Sequence, residues 1–154
     1  MMKRFLIAVL LFSMIMLGGV VNTSLVRDSV TVQASENHIS LDELKTKLKI
    51  GQSEKEVKSI MGGSYTKVKG GMDNSSMWRY DIDTIEGYKF KSDTDEVDLN
   101  GLQSKWIELI VFIKWDEESK TVSSLAAYYV DETDERIHEY RLLSDGTARD
   151  TVIY

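Results

Sequence analysis

Residues 106–115 read Trp-Ile-Glu-Leu-Ile-Val-Phe-Ile-Lys-Trp, and this stretch decides the fold class. It is rich in β-branched and aromatic side chains and contains neither glycine nor proline, the composition of a pleated, half-buried strand. Side chains alternate across a strand, so Ile107, Leu109, Val111, Ile113 and Trp115 share one face and point to a core. Glu108 and Lys114 lie on the other face, yet Trp106, Ile110 and Phe112 lie there too. A line of that kind is unusually apolar for water, so it reads either as an interaction surface or as a face covered by another part of the chain.

Downstream, the segments 122–130, 136–143 and 147–154 carry the same strand composition, with turns at 116–120, 131–135 and 144–146. Upstream, 65–69 and 77–83 read as a hairpin around Gly70-Gly71-Met72-Asp73-Asn74, with Trp78, Tyr80 and Ile82 on one face and Arg79 and Asp81 on the other. Tyr88 and Phe90 suggest one more short strand, and 92–104 reads as a polar loop. Short links between successive strands predict an antiparallel meander. Ahead of the strands stand two capping boxes, Ser40 with Glu43 and Ser53 with Glu56. Leu41, Leu44 and Leu48 follow the first at helical spacing, Val57, Ile60 and Met61 follow the second, and Gly62-Gly63 stops it. The expected fold is α+β: two short N-terminal helices packed on one face of an antiparallel β-meander, forming a single domain over 35–154.

The chain starts with Lys3 and Arg4 and then runs without charge from Phe5 to Val21. A basic region followed by an apolar one is an export signal, and Val32-Gln33-Ala34 offers a cleavage site after Ala34. Residues 1–34 are therefore expected to be a signal peptide. The competing reading is an uncleaved anchor through 5–21, a run at the short limit for spanning a bilayer. Either way the remaining chain is expected to be secreted or extracytoplasmic, touching membrane only through the N-terminal segment. The chain has no cysteine, which excludes disulfides, thiolate metal sites, a cysteine nucleophile and a lipid-attachment cysteine.

Of 19 basic and 25 acidic residues, Lys3, Arg4, Arg27 and Asp28 lie before residue 35, leaving 16 basic against 24 acidic, a net charge of −8. Such a domain repels nucleic acid, and no segment interleaves Lys and Arg with aromatics. His38 and His138 are the two histidines, too far apart for a paired zinc motif, and no Gly-x-Ser-x-Gly elbow occurs. No cofactor motif is present. Asp93, Asp95 and Asp98, with Asn100 before Gly101, alternate oxygen ligands as a calcium loop does, without the EF-hand register. Asp131, Glu132, Asp134 and Glu135 read as a charged hairpin turn.

From Leu48 the chain runs Ile50-Gly51-Gln52-Ser53, Glu56-Val57, Ile60-Met61-Gly62, and then, after a polar gap, Trp78-x-Tyr80. This order resembles the SmpA/OmlA (BamE-like) envelope proteins and the related β-lactamase inhibitory protein domains over residues 40 to about 115. In those groups a Gly-x-Ser/Thr turn opens the second helix and a glycine closes it. The resemblance implies a non-enzymatic protein that binds other proteins. The candidate binding residues are Trp106, Ile110 and Phe112 on the outer sheet face and Gly51 in the interhelix turn, with another protein as the expected partner. The alternatives are a secreted enzyme inhibitor on the same scaffold and a small extracellular hydrolase, for which His138 is the one candidate catalytic group.

Overall fold

The structure is a computed structural model that describes residues 38–154. The expected signal peptide or anchor, 1–34, lies outside the described residues. The described residues form one compact unit. No helix among the described residues is long and apolar enough to cross a membrane.

The fold is α+β. Helices α1 (Leu41–Lys47) and α2 (Glu54–Met61) precede strands β1 (Thr66–Lys69) and β2 (Ser76–Thr84). Helix α3 (Leu99–Gln103) follows, and then β3 (Ile107–Trp115), β4 (Val122–Val130), β5 (Ile137–Leu142) and β6 (Ala148–Val152). The six strands pair in sequence order and every pair is antiparallel, so the sheet is a meander.

Both capping boxes form. Ser40 accepts from the Glu43 backbone N–H and Ser53 from that of Glu56, while each glutamate reaches back to the backbone N–H of its serine. Gly62 ends α2 at φ 82, a conformation in which a Cβ would be strained. Neither helix is long enough to hold together in water alone, so burial supplies most of its stability. Leu44, Leu48, Val57 and Met61 are fully buried and share a core with Trp78, Tyr80, Val111 and Ile113.

The other sheet face carries a second core, in which Ile110 and Phe112 are 0% and 1% exposed. It also contains Leu102 of α3, Val68, Met77 and Ile137, and Tyr88, Val97 and Tyr128 pack at its margin. The segment read as a polar loop therefore folds a helix that lies over the sheet. Asp98 caps α3 by accepting from the Gly101 N–H at 2.8 Å, and it takes a second hydrogen bond from the Tyr88 hydroxyl at 2.6 Å. The strand expected at Tyr88 and Phe90 does not form. Tyr88 is committed to Asp98 at the margin of the second core, and the Phe90 ring lies 4.5 Å from the guanidinium of buried Arg79, so neither joins the sheet. Ile107 joins this second core, unlike the other odd-numbered residues of β3. Only Ser104, Lys105 and Trp106 separate it from α3, which keeps it with Leu102 at the end of the sheet.

Edge strand β1 is partly paired on its outer side, where the Lys69 N–H donates to the Asp93 carbonyl and the Asp95 N–H to the Lys69 carbonyl. At the end of the sheet where β4 begins, the interhelix turn is tied down. Gly51 N–H donates to the Val122 carbonyl at 2.9 Å, and Val122 N–H to the Gln52 carbonyl at 2.8 Å.

Candidate functional site

At the opposite end of the sheet lies a cleft of about 710 Å³. Its walls come from the end of β2, the start of β3, the end of β4, the β4–β5 turn, the end of α3 and the lead-in to α1. The meander brings these together, since antiparallel neighbours place the end of one strand beside the start of the next. Half-buried Leu41, Tyr129 and Val130 supply its accessible apolar lining, the core residues Ile82, Leu102, Ile107 and Leu109 form its floor, and Asp83, Glu108, Asp131, Glu132 and Glu135 surround it. The volume is in the range of ligand-binding clefts.

One backbone feature singles this end out. Five non-glycine residues have positive φ: Asn74, Asp83, Lys105, Lys120 and Glu135. Asn74, Lys120 and Glu135 occupy the same place in three hairpin turns, where each donates its N–H four residues back, to Gly70, Asp116 and Asp131 respectively. A left-handed residue there is what such turns require. Lys105 has a reason of its own: it follows the C-cap Ser104 of α3, its N–H donates to the Leu102 carbonyl and that of Trp106 to the Gly101 carbonyl, a helix ending that calls for a left-handed residue. Asp83 has no such reason. Asp83 lies within strand β2 at φ 49 and Lys105 in the link before β3 at φ 55, and both line the cleft. A side chain held in that region costs about 1 kcal/mol, and such strain gathers at binding and switch sites. The Asp83 carboxylate also holds His38, whose Nδ1 is 2.9 Å away.

Beside the cleft stands His138, which the sequence could place only as an isolated histidine. Its Nε2 lies 3.1 Å from Asp134 Oδ2 and its Nδ1 3.4 Å from Asp150 Oδ1. The hydrogen bond to Asp134 raises the imidazole's pKa and lowers that of Asp134. Asp150 also accepts from Tyr129 Oη at 2.8 Å and Lys45 Nζ at 3.0 Å, so this network ties α1 to β4, β5 and β6. Both imidazole nitrogens face carboxylates and, among the described residues, no serine hydrogen-bonds to the ring. Asp131, Asp134 and His138 offer ligand atoms within 4.8 Å of one another, the donor set among the described residues with metal-ligand spacing. In this geometry Asp134 and His138 already satisfy each other.

The residues singled out from the sequence separate. Trp106 is 48% exposed, and its carbonyl accepts from the N–H of Ile85, itself 50% exposed, so the two give the cleft end an apolar margin. Ile110 and Phe112 are buried, which corrects the reading of an open outer face: α3 and the 88–98 segment cover it. Gly51 sits at the far end, roughly 26 Å away along β4 at about 3.3 Å per residue. The calcium reading of Asp93, Asp95 and Asp98 is also corrected. Asp95 accepts from the Gly71 N–H at 2.8 Å and Asp98 caps α3, so both carboxylates serve the backbone, and these residues are not among those with metal-ligand spacing. His38, Asp83, Lys105 and Glu132 come together only through strand pairing, and no local motif marks them. No family model, no curated protein and no solved structure matches the chain.

Proposed function

We propose that this chain is an exported, non-enzymatic protein-binding module that docks a segment of its partner in the cleft at the α3 end of the sheet. The observation that carries this reading is the cleft itself. It has half-buried apolar lining at Leu41, Tyr129 and Val130, a polar surround, exposed Trp106 and Ile85 at the same end, and Asp83 held in a strained backbone that neither a hairpin nor a helix cap requires. Helices α1 and α2 cover part of one face of the meander and α3 part of the other, so the cleft end is one of the surfaces left for a partner. The N-terminal basic and apolar run supports export, and the resemblance of residues 40 to about 115 to envelope and inhibitor domains agrees with a binding role.

The test is site-specific photocrosslinking in the producing cell. A photoreactive residue at Gln103, in the cleft, is expected to trap one partner repeatedly, and the same residue at Lys55, on exposed α2, is not. Trapping from Lys55 with none from Gln103 would place the binding surface elsewhere and overturn the reading.

A further inference from the structure

We infer that the docked segment is cationic: a stretch of polypeptide in which lysine or arginine side chains alternate with apolar ones. The inference rests on the docking reading above. Five carboxylates line the cleft, from Asp83, Glu108, Asp131, Glu132 and Glu135, against Lys105 and His38, and His38 is already joined to Asp83. Glu108, Glu132 and Glu135 are exposed and form no ion pair among the described residues. Elsewhere on the domain several acidic side chains are paired, as Asp73 is with Lys114, Glu43 with Lys47 and Glu139 with Arg141. Unpaired carboxylates of one sign around a low-dielectric wall focus a negative potential into it.

The apolar wall then selects among cations. Lysine and arginine lay an aliphatic stem along apolar surface while their charged heads stay solvated, so one side chain can cover half-buried Leu41 or Val130 and still reach a carboxylate on the margin. A small hydrated cation gains nothing from that wall. The margin does not suit a single metal ion either, because the residues with metal-ligand spacing are Asp131, Asp134 and His138, and Glu108, Glu132 and Glu135 are not among them. Nucleic acid and anionic lipid are repelled by the same charges.

The test uses residues 33–154, which contain the compact described unit and every residue of both cores. Three fluorescein-labelled heptapeptides share two leucines and differ in carrying three lysines, three glutamines or three glutamates; spermine is the competitor. Fluorescence anisotropy is expected to show the lysine peptide binding about tenfold tighter than the glutamine peptide, the sum of a few partly screened pairs. That preference should fade between about 50 mM and about 500 mM salt. The double variant Glu108→Lys with Glu132→Lys should abolish the preference. Equal binding of the lysine and glutamine peptides would overturn the cationic inference while leaving the docking reading intact. Binding of none of the three would overturn both. Spermine binding as tightly as the lysine peptide would make the occupant a small polycation and overturn the inference for a polypeptide.

Discussion

The backbone N–H of Gly51 donates to the carbonyl of Val122 at 2.9 Å, fastening the turn between the two N-terminal helices to the start of β4. Gly51 makes this bond at φ 84, and a Cβ added there would have no heavy atom within 4 Å. The cost of a side chain is therefore backbone strain alone. Gly51→Ala is expected to lower stability by about 1 kcal/mol and Gly51→Asn by less, since asparagine tolerates the left-handed region. Urea denaturation measures both. An unchanged midpoint for the alanine variant would mean that the turn adopts another conformation.

Lys105 presents the opposite case, a long side chain held at φ 55 where glycine would be unstrained. Lys105→Gly should raise stability by about 1 kcal/mol, offset in part by the greater freedom of the unfolded chain. It also removes a cation from the cleft, so the lysine peptide should bind it more tightly than wild type. A gain in stability together with weaker peptide binding would show that Lys105 contacts the ligand and contradict the charge account.

Closure of the second core depends on Asp98, which caps α3 and holds the Tyr88 hydroxyl. Asp98→Ala is expected to cost about 1–2 kcal/mol, the loss of one helix cap with a second hydrogen bond. It should also increase binding of a hydrophobic dye as Ile110 and Phe112 become accessible. A destabilised variant with unchanged dye binding would mean that α3 stays docked without its cap.

Acid should weaken the far side of the sheet. Glu139 accepts from Arg141 and from the Tyr128 hydroxyl, and chiefly the Arg141 bond holds its carboxyl below the ordinary glutamate value. A depressed carboxylate contributes stability above its unfolded-state pKa, near 4.5, and loses it as pH falls through the folded-state value. The difference in unfolding free energy between wild type and Glu139→Gln should thus be largest near neutral pH and shrink as pH falls below 4.5. Arg141 is partly exposed, so the difference should also shrink in high salt. A difference that grows on acidification would contradict the sign.

The legible parts of this fold are those whose causes lie within a few residues. Ser40 and Glu43, or Ser53 and Glu56, announce a helix start because the reciprocal hydrogen bonds need only that spacing. The alternation from Leu109 to Trp115 announces a buried strand face for the same local reason. What covers Ile110 and Phe112 was not legible. Leu99 and Leu102 sit in a segment dominated by Asp93, Asp95, Glu96 and Asp98, and the one cue to a helix there, the Asp98 cap ahead of Gly101, read equally well as a calcium loop. The cleft was illegible for a deeper reason. His38, Asp83, Lys105 and Glu132 are far apart in sequence, and only the pairing of β2 with β3 and β3 with β4 places them at one end of the sheet.

The central claim is that the α3 end of the sheet is the docking surface, and amide chemical-shift mapping of residues 33–154 titrated with the lysine heptapeptide tests it most directly. The account predicts that the shifts concentrate at Asp83, Gln103, Lys105, Glu108 and 130–135, with little change at Gly51 or along β6. Shifts concentrated around Gly51, along edge strand β6, or spread evenly over the domain would contradict it.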